Sequence, residues 1–226
     1  MQNYLIPFGL LIFIVLFVYA LIHTSRNQQK AKSRSFKDFA AKNGLRYQDE
    51  DDGNAQRFAL DFDGVGRFRS ASTGKVIPKD VVSGTLNGLQ VILFRHSIRY
   101  EQGWAREWFV AGLTHPEPIA NRCAVQFCER KSQQSTMYLP DGIVKERQVG
   151  SFLMVVRADA LSNAGKLTYD RVLMQLAELA ESLSFRPEIQ VREKRIIAYL
   201  ADRNATVDDV DTLGALFEFT HKAACL

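Results

Sequence analysis

The chain reads as an α+β protein in which one N-terminal transmembrane helix precedes a mainly antiparallel sheet packed with two longer helices. Three features of the sequence predict this. An uncharged apolar run opens the chain, several runs of period-two hydrophobicity fill its middle, and a 3.6-residue period takes over after residue 168. At 226 residues and 46% hydrophobic content there is material for one domain with a core and an accessory segment.

Between Met1 and Ile22 there is no Asp, Glu, Lys or Arg. The stretch Tyr4 to Ile22, YLIPFGLLIFIVLFVYALI, spans about 28 Å as a helix, close to the hydrocarbon thickness of a bilayer. A cleaved signal peptide would carry a basic leader and a small-x-small cleavage site, whereas this run ends in Ala20-Leu21-Ile22-His23-Thr24. A core helix of this length would need protein on every side. Residues 1–23 are therefore expected to be the anchor and residues 24–35 a basic juxtamembrane linker or a frayed extension of the helix. A domain over 36–226 follows.

Arg26, Lys30, Lys32, Arg34 and Lys37 follow the run with no acid among them, and only Gln2-Asn3 precede it. The positive-inside rule then places the C-terminal side in the cytoplasm, with the N-terminus outside. The same five cations are expected to contact anionic headgroups. They also account for the apparent basicity of the chain. With them set aside, the 29 Lys+Arg fall to 24 against 25 Asp+Glu, a net charge of −1 for the remainder. A nucleic-acid partner is not expected of so balanced a domain.

Ser35-Phe36-Lys37-Asp38 begins a short helix, Phe36 to Asn43, which Gly44 stops. Leu45-Arg46-Tyr47 begins a strand, and Asp49 to Asn54 reads as a solvated acidic turn. Phe58 to Asp80 is irregular. Val82 to Leu86, Asn87-Gly88 and Leu89 to Phe94 form a hairpin around the strongest short turn signal. Further strands are expected at Glu107 to Leu113, Cys123 to Cys128 and Ser151 to Arg157. With no helix between them the sheet is expected to be largely antiparallel.

Tyr169 to Leu183 places Val172, Leu173, Leu176, Leu179, Ala180 and Leu183 on one stripe of an amphipathic helix. Ile189 to Val191 with Ile196 to Leu200 is expected to make a second hairpin, with a helix over Arg195 to Leu200 as the alternative. Thr206-Val207-Asp208-Asp209 opens a terminal helix whose Val210, Leu213, Leu216, Phe217, Thr220 and Ala224 share a face.

Chemical motifs are sparse. Asp61-x-Asp63-Gly64-x-Gly66 lacks the further acids of a calcium loop. Ser72-Thr73-Gly74-Lys75 lacks the first Gly and the magnesium-binding hydroxyl of a phosphate loop. His23, His96, His115 and His221 have no second ligand or acid at a catalytic spacing. Cys123 and Cys128 read as buried small hydrophobes and Cys225 as exposed; an odd number of cysteines fits no disulfide framework. No metal, cofactor or catalytic residue is expected. The aromatic and basic cluster of Trp104, Arg106 and Trp108 reads either as cover for the sheet or as a contact surface for a partner.

The order of an N-terminal membrane helix, Phe39-Ala40-x-x-Asn43-Gly44-Leu45-x-Tyr47, Ser83-Gly84-Thr85-x-x-Gly88-x-x-Val91-x-Leu93-Phe94 and then Phe152 to Ala158 resembles a loose group of uncharacterised bacterial membrane-anchored proteins. The resemblance implies a bacterial inner-membrane setting and an α+β cytoplasmic domain. The function expected is a membrane-tethered binding or scaffold domain without catalysis of its own, with the lipid bilayer and a membrane or cytoplasmic protein as partners. The alternative is an enzyme whose groups assemble from distant positions and so leave no motif.

Overall fold

The computed structural model describes residues 5–60, 62, 78–99, 105–128, 142–158, 170–183, 185, 187–201 and 210–225. Asp61, the rest of the acidic Asp63–Gly66 stretch, Ser72–Lys75, Trp104 and the capping box at 206–209 lie outside them.

One helix, α1 (Leu5–Lys42), runs without a break through both the apolar run and the basic stretch. The expected linker at 24–35 is therefore helical, because Gln28-Gln29-Lys30-Ala31-Lys32 are all good helix formers with no Gly or Pro among them. The helix ends where Gly44 was expected to end it. Gly44 takes φ 65°, Leu45 N–H bonds the Ala40 carbonyl at 2.8 Å and Gly44 N–H the Ala41 carbonyl at 3.4 Å, a Schellman cap.

The strands are β1 (Arg46–Glu50), β2 (Pro78–Leu86), β3 (Leu89–Arg99), β4 (Ala105–Thr114), β5 (Ala120–Cys128), β6 (Gly142–Val149), β7 (Phe152–Ala158), β8 (Glu188–Glu193) and β9 (Arg195–Ala201). They form one sheet in the order β1-β2-β3-β4-β9-β8-β5-β7-β6, and every pairing is antiparallel. The expected hairpin is β2–β3, closed by Asn87 (φ 53°) and Gly88 (φ 79°), the left-handed pair that a two-residue turn requires. The β8–β9 pair is the second expected hairpin, inserted between β4 and β5.

Two elements depart from the sequence reading. Asp49 to Asn54 is not only a solvated turn: Asp51 accepts from the backbone N–H groups of Ala55 (2.9 Å) and Gln56 (2.8 Å) and so caps α2 (Asn54–Leu60). Strand β6, GIVKERQV, carries no clean alternation because it lies at the sheet edge, where charged side chains are tolerated in solvent.

The sheet is covered on both faces. The C-terminal turns of α1, α3 (Asp170–Glu181) and α4 (Val210–Cys225) enclose one core with Phe36, Phe109, Phe127, Phe152 and Phe219. On the other face Ala55 and Ala59 of α2, with Phe62, pack on Phe94, Trp108, Val110 and Tyr199. Gly112 is what lets α2 approach, since a Cβ there would overlap the Phe58 ring. The fold is thus α+β with a nine-stranded antiparallel sheet and, among the described residues, four helices.

Candidate functional site

The distinctive region is the corner where α1 leaves the sheet. Toward its C-terminal end the helix is built into the core, with Phe36 (1% exposed) stacked 6.2 Å from Phe109 and Phe39 edge-on to Phe217 at 5.6 Å. Toward its N-terminal end it projects. Phe13 through Val18 and Tyr19, Leu21 and Ile22 are all 46–66% exposed, on every side of the helix. Among the described residues no helix is long and apolar enough to cross a membrane. Side chains of the apolar run are described only from Phe13 onward.

Between these two parts lies a buried polar joint. Arg95 of β3 donates from Nε to Asp80 Oδ2 at 2.8 Å, places Nη2 2.5 Å from the same oxygen, and donates from Nη1 to Gln29 Oε1 of α1 at 2.8 Å. The Arg95 and Asp80 side chains are 5% and 3% exposed. Asp80 sits at φ 51° in the register shift between Lys79 and Val82. An Asp tolerates that conformation, and such a bulge re-aims its side chain. The Tyr47 hydroxyl lies 2.7 Å from Asp80 Oδ1 and 2.7 Å from Asp49 Oδ1, sharing one proton between two carboxylates. Burial, then the hydrogen bonds to Asp80 and Asp49, push the Tyr47 phenol far above its usual range, so it stays a donor. That hydrogen bond, with the charge of Lys37, holds the exposed Asp49 carboxyl below the usual carboxylate range. Within the joint each donor faces an acceptor.

The five juxtamembrane cations divide. At 100° per residue Arg26, Lys30, Arg34 and Lys37 fall within about 80° of one another on the helix, forming one outward stripe. Lys32 points the other way, its Nζ 5.8 Å from the Phe109 ring centroid. Arg34 pairs loosely with Asp38 (3.7 Å), and Lys37 with Asp49 (3.5 Å) while lying 5.0 Å over the Tyr47 ring. Exposed pairs of this kind contribute little stability, leaving the stripe open to other anions. Lys30, Arg34 and Lys37, with Gln29, Ser33 and Asp49, line a shallow cleft of about 350 Å³.

Of the partner-contact candidates, Trp108 is a core residue: it is 6% exposed and packs edge-on to Tyr199 at 5.5 Å. This is the sheet-covering reading of the cluster, and it takes Trp108 out of reach of a partner. Arg106 pairs with Ile98 across β3–β4.

Among the described residues no three His, Cys, Asp or Glu side chains cluster as a metal site would require. Cys123 and Cys128 are buried and Cys225 is exposed. Burial pushes the Cys123 thiol up to about 12 and also raises that of Cys128. One thiol is therefore expected to react with Ellman's reagent at pH 8 in the native protein and three in denaturant. Rapid titration of two or more native thiols would contradict the buried placement.

No family model matches the chain, and no curated protein matches its sequence. In structure it is similar to the crystal structure of the mycobacterial trehalose monomycolate transport factor A, TtfA, with a TM-score of 0.50 and 15% sequence identity. The likeness covers 83% of this chain and 93% of that one. At this identity what is shared is the fold.

Proposed function

We propose that the protein is a membrane-tethered binding or scaffold component, non-catalytic, with α1 as a single-pass anchor and the sheet domain on the cytoplasmic side of a bacterial inner membrane. The observation that carries the reading is the projecting end of α1. Exposed apolar side chains on all sides of a helix would be costly in water and are stable in lipid. The full run from Tyr4 to Ile22, about 28 Å as a helix, has the length that a bilayer requires. The cations that follow support the orientation, with Arg26 about 6 Å and Lys30 about 12 Å beyond Ile22 along the helix axis.

The structural neighbour bears the name of a transport factor, which favours an accessory role over catalysis. A tether supports such a role by raising the effective concentration of the domain toward membrane partners.

The test is carbonate washing of membranes together with C-terminal fusions. The protein should remain in the washed pellet, a fluorescent-protein fusion should be bright and an alkaline phosphatase fusion silent. Recovery in the supernatant would remove the anchor, and the reverse fusion pattern would reverse the orientation.

A further inference from the structure

The outward stripe of cations on the unbroken helix α1 continues past the reach of a headgroup layer. With the hydrocarbon edge at Ile22, Arg34 lies about 18 Å and Lys37 about 22 Å farther along the helix axis. The headgroup layer of one leaflet is only about 5–8 Å thick. Tilting the helix by about 40°, the upper end for spanning helices, still leaves the two positions about 14 and 17 Å from the edge. Side chains leaning fully toward the bilayer recover about 4 Å of that. Both cations therefore stand on the water side of the headgroups, whereas Arg26, about 6 Å beyond Ile22, stands among them.

Resting on the anchor reading, we infer that the cleft formed by Lys30, Arg34 and Lys37 of α1 beside Asp49 of β1 is a docking site for an acidic segment of a protein partner. Charge selects the partner. Arg34 and Lys37 are 83% and 53% exposed and hold their own carboxylates only at 3.7 and 3.5 Å, pairs that an incoming carboxylate replaces at little cost. Asp49 is not stranded by the exchange, because it keeps the Tyr47 hydroxyl at 2.7 Å. The cations stand in file over about 10 Å of the helix axis, which suits several charges in a row rather than one compact anion. An extended segment presents alternate side chains on one face about 6.7 Å apart, so three alternate acids cover a row of similar length. The row is held ready, since Phe36 and Phe39 fix this part of α1 in the core and Gln29 ties it to Arg95. On an upright helix Arg34 and Lys37 clear the headgroups by more than the roughly 8 Å over which physiological salt screens lipid charge, so an acidic partner reaches them without repulsion. Apart from the five cations the chain carries a net charge of −1, which offers a longer polyanion such as nucleic acid no further attraction.

The experiment uses the full chain in nanodiscs of phosphatidylcholine alone or of phosphatidylethanolamine with phosphatidylglycerol. The probe is a fluorescent peptide of alternating Glu and Ser, read by anisotropy. It should bind in both lipids with similar affinity and weaken as salt is raised. Lys30→Gln/Arg34→Gln/Lys37→Gln should weaken binding by about tenfold or more, and Arg34→Gln alone by about threefold. Arg147→Gln/Arg171→Gln/Lys194→Gln, which removes the same charge from other exposed positions, should change it by less than about twofold. Equal losses in the two triple variants, or no binding at all, would overturn the inference and spare the anchor. Loss of binding in the phosphatidylglycerol discs would overturn it in favour of headgroups. Displacement by inorganic phosphate at matched ionic strength would overturn it in favour of a small anion, and tighter binding of an oligothymidylate of the same charge in favour of nucleic acid. Failure of the chain to enter the nanodiscs would overturn the anchor, and this inference with it.

Discussion

Arg95→Leu is expected to destabilise the domain by about 3–5 kcal/mol, the usual cost of leaving one member of a buried ion pair without its partner. The substitution strands Asp80, 2% exposed, with a single hydrogen bond from Tyr47 to hold a carboxylate away from water. It also removes the Arg95–Gln29 hydrogen bond between the sheet and α1. Asp80→Asn should be costly for the converse reason, leaving the Arg95 guanidinium, 4% exposed, facing a neutral amide. The double variant Asp80→Asn/Arg95→Met should lose clearly less than the two single losses added, because removing both charges removes the unpaired one. Urea unfolding of the full chain in detergent micelles measures all three. A loss under about 1 kcal/mol for Arg95→Leu would place the pair with ordinary surface ion pairs and refute the buried joint.

Phe13→Asp combined with Leu16→Asp is expected to abolish membrane retention. Each aspartate near the centre of a spanning helix costs about 2.5–3.5 kcal/mol, so the pair removes about 5–7 kcal/mol from insertion. The two side chains are 66% and 60% exposed, so little of the soluble fold depends on them. The variant should leave the carbonate-washed pellet while keeping the urea midpoint of the domain. If it stayed in the membrane at wild-type levels, the projecting apolar turns would need another explanation.

The local elements could be read from the sequence wherever a residue's neighbours in the chain are also its neighbours in space. The Asn87-Gly88 turn, the Gly44 cap and the α3 stripe of Val172, Leu173, Leu176 and Ala180 are of this kind, and each is present in the structure. Seven-residue α2 was missed because two turns are too short to establish a period, and β6 because an edge strand need not alternate. The five cations were legible as a group. Their division into an outward stripe and an inward Lys32 depended on the helix continuing through residues 24–35, and that in turn on the absence of any breaker.

By itself the sequence determined the apolar run, the cationic flank, the change of period and hence an α+β chain with an antiparallel sheet. Only the tertiary structure decided that β9 lies against β4 and β8 against β5. It also decided that Trp108 faces the core, and that Arg95 reaches across 66 residues of chain to Gln29 and across 15 to Asp80. The physical reason is one of range. Hydrophobic period and turn chemistry act over a few residues, whereas a buried charge is recognisable only once its partner is in place. An arginine or an aspartate in a strand looks like solvent-facing residue until folding brings the two within hydrogen-bond distance and excludes the water between them.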